Sequence, residues 1–422
     1  MRAPHPLHAD KLSNTGLGQV MKYDFTSKLE RAGFDAEAVE SVGKRTGLAP
    51  EAPKPGFDLI PMWVADMNFP CVPTVQQALI QRVEHPAFGY FKPREEYFAK
   101  IIEWQRRHNG VTDLEPQHIG YENGVLGGLV STLQSFCAPG DKVLVHSPTY
   151  IGFTNSVTNA GFRLVHSPLK IEDGVWRMDF ANMECKLSEQ HIHAAIFCSP
   201  HNPSGRVWER WEIERAMELF RRYDCVVISD EIWSDLIRPG FKHVPTQSVS
   251  EDARNRTVAL YAPSKTFNLA GLVGAYHIIY NDYLRDRVQS VASKCQYNEM
   301  NVLSMHALLG AYEPEGYEWV DELNQVIAGN VDFARAYMAE HFEGVTSCLP
   351  QGTYMLFVDC SGWCQAHGKT IEDVEHEAWN VGVAVQDGRM FLGRCHLRMN
   401  LALPLSRVQE AFERLDRYVF NA

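Results

Sequence analysis

Residues 257–272 read TVALYAPSKTFNLAGL. The first five are apolar or β-branched and suit a short strand buried on both faces. Pro263 ends the run, and Lys265 stands just past it in a turn of small and polar residues. The same pattern recurs outward along the chain. KVLVHSP (142–148), IHAAIFCSP (192–200) and CVVISDE (225–231) are apolar runs that stop at polar residues, and FRLVHSPL (162–169) and GAYHIIYN (274–281) read as further strands. PTVQQALIQRVE (73–84), REEYFAKIIEWQRRH (94–108), VLGGLVSTLQSF (125–136) and ERWEIERAMELFRRY (209–223) have helical spacing. Short apolar strands alternating with helices predict an α/β fold, a mostly parallel sheet with helices on both faces. Ligands of such sheets sit beyond the carboxyl ends of the strands.

The texture changes near residue 300. Long helical stretches at 301–312 and 317–341 lead to three strand-like segments, TYMLFVDCSG, VGVAVQDG and HLRMNLALP, and SRVQEAFERLDRYVF closes the chain as a helix. The expected organisation is a disordered lead at 1–20, a segment at 21–69 that joins the smaller part, a large domain at 70–299 and a small α+β C-terminal domain at 300–422.

Composition narrows the function classes. Of 422 residues, 45% are hydrophobic and 22% charged, which excludes a mainly disordered chain. A formal charge of −12 argues against sequence-independent nucleic-acid binding and against anionic membrane surfaces. No apolar run approaches the ~20 residues needed to span a bilayer, and residues 1–20 lack the apolar core of a secretory signal. The ten cysteines include no CxxC pair, and several lie in apolar runs. They read as free thiols in a reducing compartment, the cytoplasm, with no metal site; a structural zinc site is the weaker alternative.

The chemistry lies at the strand ends. Tyr150 follows the strand 142–147, Asn202 the strand 192–198 and Lys265 the strand 257–261, and Asp230 ends the strand 225–229. Each alone has an ordinary structural reading: a solvated lysine, a turn Asn-Pro, a helix-capping aspartate, a packing tyrosine. Together they match what pyridoxal 5'-phosphate requires: an amine for a Schiff base, a carboxylate for the pyridinium nitrogen, a donor to the ring oxygen, an aromatic over the ring. ENGVLGGL (122–129) adds a Gly-containing turn that opens a helix, where the backbone N–H groups of Val125 and Leu126 would face the phosphate.

These motifs, in this order, resemble the fold-type I pyridoxal-phosphate enzymes of the class I/II aminotransferase group. The resemblance covers roughly residues 22–420. It is nearer to the cystathionine β-lyase/C–S lyase branch (the MalY/PatB group), through PMWVADMNFP (61–70), FGYFKP (88–93), SPHNPSGRVW (199–208), SDEIWSDL (229–236) and SKTFNLAGL (264–272). It implies that Lys265 is the Schiff-base lysine and proton shuttle, that Asp230 pairs with the pyridinium, that Asn202 donates to the ring oxygen and that Tyr150 stacks on the ring. It implies that Arg398 in HLRMN clamps the substrate carboxylate, and that Tyr90 reaches the cofactor of a neighbouring subunit in an obligate homodimer. Departures are Ala262 where many relatives have Ser, Val273 where relatives outside the branch have Arg, Asn68 where Asp is commoner, and Trp233 where Tyr or His sits beside the ring oxygen. The phosphate then leans on Ser264, backbone amides and Tyr90. The resemblance implies a β-lyase that cleaves cystathionine or another S-substituted L-cysteine to pyruvate, ammonia and a thiol. The alternative is a class I/II aminotransferase acting on a small amino acid with the same residues. No second arginine for a dicarboxylate stands out.

Overall fold

Six of the apolar strands are short, and several are buried at every residue, as continuous rather than alternating hydrophobic runs require. In the computed structural model, which describes residues 21–44, 47–295 and 298–421, the strands are β1 (Ile60–Pro61), β2 (Ile119–Glu122), β3 (Lys142–Ser147), β4 (Arg163–Pro168), β5 (Lys170–Glu172), β6 (Val175–Arg177), β7 (Ala194–Cys198), β8 (Val226–Asp230), β9 (Thr257–Tyr261), β10 (Ala275–Ile278), β11 (Met355–Asp359), β12 (Val383–Ala384), β13 (Gln386–Asp387) and β14 (His396–Asn400). The lead expected at 1–20 lies outside the described residues.

Seven strands form the central sheet in the order β2-β10-β9-β8-β7-β3-β4. Its pairs are parallel from β4 across to β9, and β10 runs against both of its neighbours. Helices cover both faces. Leu129, Leu133 and Phe153 meet Ile196, Ile228 and Leu260 on one side. Met183, Leu187, Ile213 and Phe220 meet Leu144, Phe197 and Val227 on the other. The carboxyl ends of β3, β7, β8 and β9 therefore open along one edge, which carries Tyr150, Asn202, Asp230 and Lys265.

The C-terminal part holds an antiparallel sheet in the order β11-β14-β13. The stretch VGVAVQDG, expected as one strand, is two. Val385 N–H bonds back to the Val383 carbonyl at 3.0 Å, a tight turn that sends β12 to pair with β1 and leaves β13 on β14. Residues 60–68 are laced to this part by backbone hydrogen bonds from Met62 to Ala384, Asn400 to Met62 and Asn68 to Ala402. Gly382, at φ +82°, is needed where β1 arrives, because a Cβ there would lie 2.2 Å from the Asp58 carbonyl oxygen. Among the described residues no helix is long and apolar enough to cross a membrane.

Candidate active site

Each strand end delivers its side chain for a local reason. Asp230 ends β8 between Cys198 and Leu260 on the flanking strands and is 4% exposed. The one hydrogen bond to its carboxylate among the described residues comes from the Ile232 N–H at 3.1 Å. Burial pushes the carboxyl up to about 7, against partial relief from that N–H and from Lys265. Lys265 lies in the one-turn helix Pro263–Thr266, and its Nζ donates to the Ala65 carbonyl at 2.8 Å. Burial first and the charge of Arg398 second bring the amine down to about 8, so its neutral form is far more accessible than an ordinary lysine's.

Tyr150 precedes the helix Ile151–Asn159 and packs edge-on against Phe153, ring centroids 5.4 Å apart. Its ring crosses the space beside Gly152, where an added Cβ would lie 2.3 Å from the ring. Asn202 is buried in the turn after β7. Trp233 is buried under Lys265, whose Nζ stands 5.8 Å from the ring, and it packs edge-on with Tyr354. Val125 and Leu126 open the helix Val125–Phe136 behind Gly124, at φ +77°. Only glycine adopts that conformation freely, and the first-turn N–H groups of a helix have no partner within it.

One cavity of about 210 Å³ is lined by Val125, Leu126, Tyr150, Asn202, Asp230, Trp233, Ser264 and Lys265 together. A wider one of about 1200 Å³ adjoins it through Ala65, Tyr150, Lys265 and Ala270, and Arg398 stands in its wall. The sequence-derived set thus converges, with one exception. Tyr90 is fully exposed and lines neither cavity. Asn68 is also outside them. Its side chain accepts from Arg31 and donates to the Pro61 carbonyl. Val273 lines the inner cavity in a left-handed conformation at φ +48°.

Arg398, on β14, is 3% exposed. Its partners are neutral oxygens: Gln386 Oε1 at 2.5 Å, the Trp63 carbonyl at 3.0 Å and Asn202 Oδ1 at 3.4 Å. Its Nε is buried without a partner. The guanidinium lies 4.1 Å from the Phe391 ring centre. Burial lowers it to about 10, which still leaves it charged at neutral pH. A buried cation with no carboxylate is costly unless an anion arrives to pair with it.

Several residues of the site carry no sequence signal of their own. Ala65 receives both Lys265 and the Tyr354 hydroxyl through its carbonyl. Asn268 fastens the loop 61–70 to the lysine turn, accepting from Met67 N–H and donating to its carbonyl. Arg31 enters the outer cavity wall, but Asp66 holds it through both oxygens, at 3.1 and 2.5 Å. The described residues contain no group of three or more metal-ligating side chains, and the nine described cysteines are free.

The aminotransferase class I and II family matches residues 58–415. Cystathionine beta-lyase PatB of Bacillus subtilis (strain 168) is 31% identical over 395 residues, 93% of this chain and 98% of that protein. Protein MalY of Escherichia coli (strain K12) is 28% identical over 399 residues, covering 92% and 96%. Among solved structures, cystalysin from Treponema denticola, which contains a pyridoxal 5'-phosphate cofactor, superposes with a TM-score of 0.86 at 29% identity over 94% of this chain and 98% of that one. The pyridoxal-phosphate-bound C–S lyase from Staphylococcus hominis superposes at 0.84 with 26% identity, over 94% and 98%.

Proposed function

The chain belongs to the aminotransferase class I and II family, and within it we propose a pyridoxal 5'-phosphate-dependent C–S β-lyase. It would cleave S-substituted L-cysteines, cystathionine among them, to pyruvate, ammonia and a thiol. The cavity suits that cofactor on its own chemistry. Asp230 is a desolvated carboxylate short of a cation, and a protonated ring nitrogen would supply one. Lys265 is an amine lowered to about 8, which enlarges the share of the neutral form that attacks an aldehyde. Asn202 and Trp233 would stand at the ring oxygen, Tyr150 across the ring, and Ser264 with the N–H groups of Val125 and Leu126 at the phosphate. When bound, the cofactor supplies an electron sink for charge released at the substrate α-carbon.

The chain's residues do the rest. Arg398 would bind the substrate carboxylate through the donors that no acid of the chain occupies, fixing the α-carbon above Lys265. Lys265, neutral, takes the α-proton. The Cβ–S bond then breaks, the thiolate leaves and is protonated, and one water completes the conversion of the remaining three carbons to pyruvate and ammonia. The observation that carries this reading is the buried Arg398 without a carboxylate partner, in the wall that Lys265 shares.

Transamination would use the same groups. The Arg31–Asp66 pair speaks against dicarboxylate substrates, since it leaves no free second cation among the described residues that line the outer cavity. We also place Tyr90 in the site of a second copy. It is fully exposed, and Ile80, Val83 and Phe88, within ten residues of it along the chain, are exposed as well, so this stretch has apolar side chains to bury in a homodimer. The free thiols suit the cytoplasm. The test is pyruvate and thiol release from L-cystathionine and S-methyl-L-cysteine by cofactor-loaded protein without keto acid. Continuous release in equal amounts is expected. Activity only after a keto acid is added would move the assignment to transamination.

A further inference from the structure

The charge of Arg398 is left uncompensated because every group that holds it is neutral, and only one of them is a side chain free of other duties. The Trp63 contact is backbone, and Asn202 is long at 3.4 Å and belongs to the cofactor cavity. Gln386 is different. It faces Arg398 directly across the β13–β14 register, is 5% exposed, and sets its Oε1 2.5 Å from the guanidinium. Only the oxygen end of its amide can accept from an arginine, so the orientation is chemically fixed. Its neighbour Asp387, the nearest acid along the strand, turns away and pairs with Arg389. Gln386 also lines the outer cavity, in the same wall as Arg398.

We infer that Gln386 is a positioning residue for substrate recognition: it anchors Arg398 with a neutral oxygen and so preserves an undischarged cation for the substrate carboxylate. A glutamate of nearly the same shape would anchor the arginine as well or better. It would also neutralise it, and an incoming carboxylate would meet a closed ion pair instead of a free charge. The inference rests on Arg398 being the carboxylate clamp.

The test uses full-length, cofactor-loaded enzyme with S-methyl-L-cysteine as substrate. 2-(Methylthio)ethylamine, the same molecule without its carboxylate, serves as competitive ligand. Gln386→Glu should raise KM about 100-fold, with kcat within about threefold and amine affinity within about twofold of the parent. Gln386→Met, which removes the anchor without adding charge, should raise KM about tenfold. An unchanged KM in Gln386→Glu overturns the inference. So does an equal loss of amine affinity, which would mean general distortion of the site. If Gln386→Glu does not fold, Gln386→Met decides, and a KM within about twofold of the parent overturns the inference. Arg398→Ala is measured alongside. A raised KM there with an unmoved one in the Gln386 variants sinks only this inference, and an unmoved KM in Arg398→Ala sinks the clamp itself.

Discussion

Asp230 and Glu231 follow each other at the end of β8, and their side chains enter different regions of the molecule. Glu231 is wholly buried, and Ser229, His243, Thr246 and Tyr261 all donate to it, at 2.6 to 3.0 Å. Burial alone would raise its pKa, but His243 and the other donors outweigh burial and hold it below the ordinary value. Asp230 turns into the cavity with one N–H for company and rises to about 7. Arg398 repeats the cavity pattern with the opposite sign. A region that only has to fold pairs its buried charges, as buried ion pairs and hydrogen bonds require. A region that has to bind leaves them waiting. The cavity's unpaired acid and unpaired base complement a cationic ring nitrogen and an anionic carboxylate, the two ends of the proposed cofactor–substrate assembly.

The comparison breaks most visibly at Lys265. Lys265→Ala should lower turnover by about four orders of magnitude or more, and the cofactor should wash out on gel filtration, while the chain still folds. Normal turnover in that variant would end the proposed mechanism. Asp230→Asn comes next. Its kcat should fall by about 100- to 1000-fold, yet the cofactor-free variant should melt higher than the parent at pH 8. Because the folded-state pKa of Asp230 is raised, its desolvation penalty is complete above about pH 7 and vanishes as pH falls toward the ordinary carboxylate value of 3.8. The stability gap between variant and parent should therefore close across that window. A gap that is absent at pH 8, or that does not change with pH, would show that Asp230 is not an unpaired charge.

What could be read from the sequence follows the same division. Tyr150, Asn202, Asp230 and Lys265 were legible because a strand end is a local feature and their order along the chain is fixed by the sheet. Arg398 came through the resemblance, since a lone arginine on a strand-like stretch says nothing of what surrounds it. The partners that give it meaning were not legible. Trp63 and Ala65 act through carbonyl groups, which every residue has. Gln386 matters only because the turn at Val385 throws two residues of VGVAVQDG onto β14, a long-range pairing with no short-range signature. Gly152 carries no mark of its own in the sequence, and only the ring of Tyr150 beside it shows why a side chain is excluded. Arg31 lies far from Asp66 in sequence and in a stretch without periodicity, so the pair that discharges the second cation was not foreseen.

The smallest effect sharpens the phosphate end. Lys265 is the only cation among the described residues that line the inner cavity. A phosphate there would depend on Ser264, on the N–H groups of Val125 and Leu126, and on whatever a second subunit brings. Backbone N–H groups at a helix start bind anions, but the partial charge they offer is about half a unit. Val273 lines this cavity within reach of Gly124, 4.0 Å from where a Cβ on that glycine would sit. Val273→Arg should place a full charge beside the cradle and tighten cofactor binding about three- to tenfold at low salt, with most of the gain lost at high salt. The left-handed backbone at this position disfavours Val more than unbranched Arg, so the exchange should not cost folding. Equilibrium titration of cofactor-free protein at two ionic strengths reads the effect. An affinity that does not move at either salt would place the phosphate elsewhere and detach Val125 and Leu126 from the site, while leaving the contrast between Asp230 and Glu231 intact.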